Sequence, residues 1–262
     1  MFQWQAGEVA IGKELATLRL PPEDRYHDPK QSKFVLEEVW GNPPSELTLG
    51  MIFPADQGPA SESWAVVLEY VEDGHVSDDD AEEIDYDELL EDMQSGTKEE
   101  NEQRAKLGFP AVDLVGWATK PHYDAAARKL YWAKELRFAA APVNTLNYDV
   151  RVLGRKGVLS MNAVATIEQL ADVEQGMKSV LAAIEFDPGN RYEDYDSSVD
   201  QLAAYGLGGL VAGGLALKAG LFKGLWLLIL AAKKFIILGL AAIGAFFAKV
   251  FKRKRPAESA AP

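Results

Sequence analysis

Residues 145–165 read TLNYDVRVL-GRKG-VLSMNAVA, and this stretch decides the fold. The runs Thr145–Leu153 and Val158–Ala165 are predicted to be strands. Glycine stands at both ends of the basic tetrapeptide between them, at Gly154 and Gly157. Because glycine favours the tight turns that join antiparallel strands, the stretch predicts a β-hairpin.

Other short strands and separate helices are predicted on both sides of this hairpin. The strands are Val9–Ile11, Leu15–Leu20, Leu47–Phe53, Ser63–Val71, Val112–Thr119, Leu130–Phe138 and Ile184–Phe186. Helices are predicted at 28–39 and 172–183. An acidic helix is predicted to begin at Ser77, because Asp80 three residues later resembles a capping box. Strand runs mixed with separate helices indicate an α+β domain with a largely antiparallel sheet and packed helices.

The last quarter of the chain differs sharply from the rest in charge. From Leu202 to Val250 there is no Asp or Glu, and a basic cluster follows at 252–255. The first 200 residues carry 18 basic and 39 acidic residues, a formal balance of −21. A domain this acidic should repel phosphates, so no nucleic acid partner is expected. An anionic lipid surface should also repel this acidic domain, while it attracts the basic tail.

This apolar tail predicts a C-terminal hydrophobic helical membrane anchor, with the lipid bilayer as a partner. Leu202 to Phe222 is 21 residues long, about 31 Å as a helix, which matches a bilayer core of roughly 30 Å. Gly209 and Gly213 form a G-x-x-x-G pair that would let another membrane helix pack closely. The alternative, that both glycines face lipid and pack against no other helix, explains the pair equally well.

The second apolar piece, Gly224 to Val250, carries Lys233 and Lys234 near its centre. The free-energy cost of inserting these two lysines into a membrane nearly cancels the free energy gained by inserting the apolar residues of this piece. It therefore suits a helix lying in the interface, although a hairpin with both arms inserted stays open. The side chains predicted to contact lipid headgroups are Lys223, Lys234, Lys252, Arg253, Lys254 and Arg255.

The chain is thus divided into an acidic soluble domain at 1–196, anchor helices at 197–255 and a disordered tail at 256–262. With a single span, the basic side of the anchor predicts a cytoplasmic C-terminus and a periplasmic domain in a bacterial inner membrane. The first residues show no basic n-region and no apolar h-region, so the sequence as given predicts no signal peptide. With a hairpin, both termini would lie in the cytoplasm.

Eight stretches of the sequence stand out as motifs: Trp40–Pro44, Leu49–Pro54, Asp73–Asp80, Ile84–Tyr86, Leu114–Ala118, Leu130–Leu136, Thr145–Gly154 and Ala203–Gly206. They resemble a family of bacterial membrane-anchored proteins known as a domain of unknown function, number 2167. The resemblance covers nearly the whole chain. It implies an envelope protein with a C-terminal anchor, often made with a signal peptide, and it brings no activity or catalytic residue.

No catalytic signature, cofactor site or nucleotide-binding fingerprint is recognised. The chain has no cysteine, which excludes disulfides and thiolate metal sites. His27, His75 and His122 lack zinc-site spacing and are expected to be exposed in loops. The acidic run 78–88 is the best candidate for a divalent cation, with Asp78, Asp80 and Asp85 as ligands, although a solvated helix face is the favoured interpretation.

Three functional hypotheses follow. The first is a membrane-anchored, non-catalytic binding or interaction module of the bacterial cell envelope, with a membrane or envelope protein as partner. The second is a divalent-metal-dependent enzyme or metal-sensing domain that uses residues 78–88. The third is an anchor subunit of a larger membrane complex, with Gly209 and Gly213 as its packing face.

Overall fold

Two antiparallel sheets organise the structure, a computed structural model that describes residues 3–40, 45–61, 63–106, 110–139 and 141–213. A seven-stranded sheet has the order β3-β4-β5-β9-β8-β7-β6, and a three-stranded sheet has the order β1-β2-β10. The strands are β1 (Glu8–Ile11), β2 (Ala16–Arg19), β3 (Asp24–His27), β4 (Thr48–Pro54), β5 (Ala65–Val71), β6 (Val112–Asp124), β7 (Lys129–Phe138), β8 (Thr145–Leu153), β9 (Val158–Thr166) and β10 (Ile184–Phe186). The predicted α+β class with antiparallel sheets is confirmed.

Four α-helices accompany the sheets in the described ranges. They are α1 (Pro29–Phe34), α2 (Tyr86–Lys106), α3 (Leu170–Ala183) and α4 (Leu207–Ala212). A π-helical turn, Val35–Val39, continues α1, and 3-10 turns cover Ile167–Gln169 and Tyr192–Asp194. Asp28 caps α1, since its side chain accepts a hydrogen bond from the backbone of Gln31.

Strand β8 shows how the large sheet divides the molecule into two layers, because all nine of its residues are buried. Leu146, Tyr148, Val150 and Val152 point into the main core, which α3 and the small sheet complete. The alternate residues Asn147, Asp149, Arg151 and Leu153 face the other side, since successive side chains of a strand point in opposite directions. On that side, α1 packs over β4, while α2 and α4 pack over β6 and β7.

Two predicted elements differ from the structure, and one strand was not predicted. The acidic helix begins at Tyr86 instead of Ser77, because Asp85 accepts hydrogen bonds from the backbone of Asp87 and Glu88 and so caps it. Residues 79–83 form turns. The edge strand β3 was not predicted, and β6 continues five residues beyond its predicted end at Thr119.

The C-terminal helix also differs from its prediction. A helix was expected to run from Leu202 to Phe222, but α4 begins at Leu207 and ends at Ala212, where Gly213 takes a left-handed conformation (φ 95°). None of the helices built from described residues is both long and apolar enough to cross a bilayer. Residues 214–262, where most of the predicted anchor and the predicted tail lie, are outside the described residues, and the domain limits stay a prediction.

Candidate functional site

Residues 73–80, the acidic loop, hold residues 196–213, the C-terminal segment, against the domain. The backbone of His75 pairs with this segment on both sides, donating to Gln201 O at 2.8 Å and accepting from Ala203 N at 2.8 Å. Gly74 makes the close approach possible, because a Cβ there would lie 2.8 Å from the backbone of residues 201–203 and φ is 105°.

The histidines differ from their prediction as exposed loop residues. His75 is buried, and its ring lies 4.2 Å from the ring of Tyr192 and 4.1 Å from that of Tyr195. His27 is also buried, on strand β3, whereas His122 is exposed on β6. Burial lowers the pKa of His75, although nearby backbone carbonyls and Asp78 oppose the shift.

Asp80 caps helix α4. Its carboxylate accepts hydrogen bonds from Leu207 N at 2.9 Å and from Gly208 N at 3.1 Å. Gly206 lies directly against this carboxylate, since a Cβ there would stand 2.6 Å from Asp80 Oδ2. The side chains of α4 that face the sheet, Leu207, Leu210 and Val211, are at most 1% exposed. The C-terminal segment is therefore part of the folded domain as far as Gly213.

Asp78 is the most heavily bonded carboxylate of the acidic loop. Tyr123 and Tyr192 donate to it from their hydroxyls, at 2.7 and 2.9 Å, and Arg128 forms an ion pair with it. Burial alone would raise the pKa of Asp78, but the two hydroxyls and the Arg128 charge hold it below its ordinary value. This carboxylate links the loop to β6, to the turn between β6 and β7, and to the turn at residues 192–194.

A second contact of the C-terminal segment uses the hairpin turn between β8 and β9. Arg155 donates from Nε to Asp200 Oδ2 at 2.7 Å, and Lys156 Nζ lies 3.9 Å from the same carboxylate. The Arg155 hydrogen bond is the main reason that the pKa of Asp200 is lowered. The turn itself is the predicted one, with Gly154 N donating to Gly157 O at 2.9 Å.

The three carboxylates considered as metal ligands are not brought together. Asp78 binds Arg128 and two tyrosines, Asp80 caps α4, and Asp85 caps α2. Within the described ranges, no group of three or more His, Cys, Asp or Glu side chains is arranged to hold a metal ion. In this structure the acidic run makes contacts with other parts of the domain, and its use as a cation site stays a prediction.

The two glycines predicted to pack against a membrane helix lie at the end of α4. A Cβ at Gly209 would come 2.7 Å from the Cβ of Tyr205, and Gly213 ends the helix with positive φ. Both glycines therefore have a local structural role, and their packing against another helix stays a prediction. The predicted lipid contacts, Lys223, Lys234, Lys252, Arg253, Lys254 and Arg255, lie outside the described residues.

A second charged region lies on the sheet face that carries Asp149. This charged sheet face is formed by Trp132 and Lys134 of β7, Asp149 and Arg151 of β8, and Asn162 of β9. Asp149 Oδ1 accepts from Asn162 Nδ2 at 2.9 Å and lies 3.1 Å from Arg151 Nη2, while Asp149 Oδ2 is 3.6 Å from Lys134 Nζ. Both basic groups lie over the Trp132 ring: Arg151 Cζ is 5.1 Å and Lys134 Nζ is 5.9 Å from the ring centroid.

The charged sheet face is deeply buried and incompletely paired. The side chains of Lys134, Asp149 and Arg151 are 7%, 2% and 10% exposed. Burial lowers the pKa of Lys134, with Asp149 opposing the shift. Arg151 Nε and Trp132 Nε1 have no acceptor among the described residues, and Asp149 Oδ2 has no hydrogen-bond donor there. Buried polar atoms left unpaired are uncommon, because each costs roughly 1–3 kcal/mol.

A further acid, Glu69 on β5, borders this region. It lies in the same cross-strand row as Arg151, with Ser160 between them. Burial raises the pKa of Glu69, while the charge of Arg151 and a hydrogen bond from the Ser45 hydroxyl oppose the shift. Glu69 and Asn162 are half-buried, so this border is the more accessible side of the region.

Sequence reasoning missed the charged sheet face, although a signal was present. Asn147, Asp149 and Arg151 occupy alternate positions of a predicted strand, and Trp132 and Lys134 do the same on another. Alternate residues of a strand share a face. A row of polar residues on a strand whose other face is apolar suggests solvent exposure, and nothing in the sequence indicates that this face is buried.

Comparison with known families and structures places the chain in one family. The model of the family described as "Protein of unknown function (DUF2167)" matches residues 3–244, and the chain therefore belongs to that family. The resemblance drawn from the sequence motifs is confirmed. No curated protein matches the chain.

Two solved structures are similar in outline. The solution structure of cyanobacterial PsbP (CyanoP) from Synechocystis sp. PCC 6803 is 8% identical, covers 71% of this chain and 94% of that chain, and has a TM-score of 0.39. The Saccharomyces cerevisiae Ran-binding protein Mog1p is also 8% identical, covers 71% and 96%, and has a TM-score of 0.37. With TM-scores this low, we draw no functional argument from either likeness.

Proposed function

We propose that this DUF2167 member is a membrane-anchored, non-catalytic binding module of the bacterial cell envelope. One observation carries the proposal: Asp80 caps α4 while Leu207, Leu210 and Val211 of that helix are buried in the domain. Gly213, to which the apolar sequence is attached, is therefore held at a fixed point of the domain. An anchor attached there would hold the acidic domain at one place relative to the lipid surface.

The composition of residues 214–262 supports a lipid partner. This stretch contains no acidic residue before Glu258, and its basic residues end in the run Lys252–Arg255. Basic residues beside an apolar segment are attracted to anionic headgroups, at about 1 kcal/mol each near the surface. The same residues favour a cytoplasmic C-terminus, and with a single span they put the domain in the periplasm.

Vesicle flotation tests the anchor. We expect the full chain to float with vesicles of phosphatidylglycerol and phosphatidylethanolamine, and a chain ending at Gly213 to stay at the bottom of the gradient. High salt should not release the full chain, because apolar insertion is insensitive to screening. A full chain that stays at the bottom without detergent would contradict the proposal.

Reporter fusions test the side of the membrane. With a single span, alkaline phosphatase fused after Pro262 should be inactive, whereas an active fusion at that position would contradict a cytoplasmic C-terminus. Protease added to spheroplasts gives a second test. It should cleave the acidic domain of the full chain, and a domain that resists protease until the membrane is dissolved would contradict the periplasmic assignment.

A further inference from the structure

The charged sheet face has the features of a ligand site. Two basic side chains, Lys134 and Arg151, and one acidic side chain, Asp149, lie buried in the interior of a strongly acidic protein. An isolated buried charge is costly, and pairing with an opposite charge is the usual remedy. Both basic side chains form their ion pair with the same carboxylate, that of Asp149.

The unpaired atoms indicate the kind of group that would bind. Arg151 Nε and Trp132 Nε1 are both N–H donors, and neither has an acceptor among the described residues. Trp132 is 1% exposed and Arg151 is 9% exposed, so bulk water does not readily satisfy them. Lys134 has three N–H groups, and its nearest carboxylate oxygen is 3.6 Å away. The region thus offers donors in excess of acceptors.

We propose that the charged sheet face binds a small oxyanion, a carboxylate or phosphate group, between Lys134, Arg151 and Trp132. The proposal deepens the binding role proposed above and rests on it by naming a ligand class. Guanidinium and ammonium groups are the common protein partners of carboxylate and phosphate oxygens. The ligand enters past Glu69 and Asn162, which border the region and are only half-buried.

The charge of the whole domain explains why the ligand should be small. The first 200 residues carry a formal balance of −21, which repels large polyanions. Only a group that reaches the buried cations gains enough local attraction to offset this repulsion. Nucleic acids and acidic proteins are therefore poor ligands, and a single carboxylate or phosphate group is the best match.

Titration of the full chain in neutral detergent micelles tests the proposal. The probes are sodium acetate and sodium phosphate, added at constant ionic strength with sodium chloride. The readout is the indole Nε1–H signal of Trp132 in 15N-tryptophan-labelled protein, assigned with Trp132→Phe. We expect a saturable shift of this signal with at least one probe. A signal that moves with neither probe would overturn the proposal.

Paired variants separate the site from general charge effects. Arg151→Gln should weaken binding at least about tenfold, because a charged hydrogen bond is lost. Arg137→Gln, on the same sheet but 62% exposed and paired with Asp113, should bind like the parent. Asp149→Asn should bind the anion more tightly than the parent, because it removes the competing carboxylate. Equal binding by Arg151→Gln and the parent would also overturn the proposal.

The outcomes for the ligand and for the anchor are distinguishable. Flotation depends on residues after Gly213, whereas the titration depends on side chains of β7 and β8. A chain that floats but binds neither probe loses only the ligand proposal, and a chain that binds phosphate but fails to float loses only the anchor.

Discussion

The acidic loop and the charged sheet face both use charged side chains, but they differ in how well those side chains are paired. In the acidic loop, Asp78 and Asp80 each accept at least two hydrogen bonds. On the charged sheet face, Arg151 and Trp132 keep buried N–H groups without an acceptor in the described residues. Polar groups that are fully hydrogen-bonded stabilise a fold, whereas buried polar groups without a hydrogen-bond partner lower its free energy of unfolding. The difference supports a structural role for Asp78 and Asp80, and it is the basis for the binding role proposed for the sheet face.

The largest effect is expected on the charged sheet face. Asp149→Leu should lower the free energy of unfolding by about 4 kcal/mol, because it leaves Lys134 and Arg151 buried without their counter-ion. The triple variant Lys134→Met, Asp149→Leu, Arg151→Met should return to within about 1 kcal/mol of the parent or exceed it, since an apolar replacement removes all the buried charges. Urea unfolding of the full chain in detergent measures both. A triple variant as unstable as the single one would show that the charges stabilise the fold.

The next effect concerns the acidic loop. Asp78→Ala should cost about 3 kcal/mol, because Arg128 loses its ion pair and two tyrosine hydroxyls lose their acceptor. Asp79→Ala is the matched control. Asp79 is exposed, and its removal should change stability by less than about 0.5 kcal/mol. Equal losses for the two variants, measured by the same unfolding experiment, would refute the structural role of Asp78.

A smaller effect is expected where the C-terminal segment meets Asp80. Gly206→Ala should cost about 2 kcal/mol, because the added Cβ would lie 2.6 Å from Asp80 Oδ2 and push the cap away from α4. Gly58→Ala is the control, since a Cβ there has no atom within 4 Å among the described residues. Thermal unfolding followed by circular dichroism compares them. An unchanged midpoint for Gly206→Ala would mean that Asp80 does not hold α4 in place.

The smallest effect is a pH dependence that arises from His75. Burial lowers the pKa of this imidazole in the folded protein, so the unfolded chain takes up a proton first as the pH falls below about 6.5. Stability should therefore decrease on acidification through this range. His75→Phe keeps a ring between Tyr192 and Tyr195 but cannot be protonated, and its stability should decrease less.

The free energy of unfolding of the parent and of His75→Phe, each measured at pH 7 and at pH 5, gives the comparison. Burial also lowers the pKa of His27, to about 4, and raises that of Asp24 to about 6. Both groups are present in the parent and in the variant, so their contributions cancel in the difference. Identical pH profiles for the two proteins would show that His75 does not gain a proton on unfolding.

Local patterns in the sequence predicted the strands of the large sheet well. The hairpin of β8 and β9 was found because two strand-like runs flank a tetrapeptide with glycine at both ends. Strand β3 was missed, since four residues reading DRYH lack an apolar run, and among the described residues they pair with β4 and Gln5. Short edge strands depend on partners that are distant in sequence, and no local pattern reports them.

The acidic loop shows why the site was harder to predict than the fold. Ser77 and Asp80 have the residue types of a helix start, but Asp80 caps a helix that begins 127 residues later in the chain. The side chain performs the predicted chemistry for a different helix. Likewise, Lys134, Asp149 and Arg151 look like a solvated strand face until tertiary packing buries them. Residue types identified the chemistry, and only the fold identified the partners.

The central claim is that the chain as far as Gly213 belongs to the folded domain, so that whatever follows is attached at a fixed point. Hydrogen–deuterium exchange of the full chain, read at the amides of Leu207 and Gly208, tests it most directly. These two amides donate to Asp80, and they should be protected nearly as strongly as amides in the centre of β8. Exchange as fast as in an unstructured peptide would contradict the account.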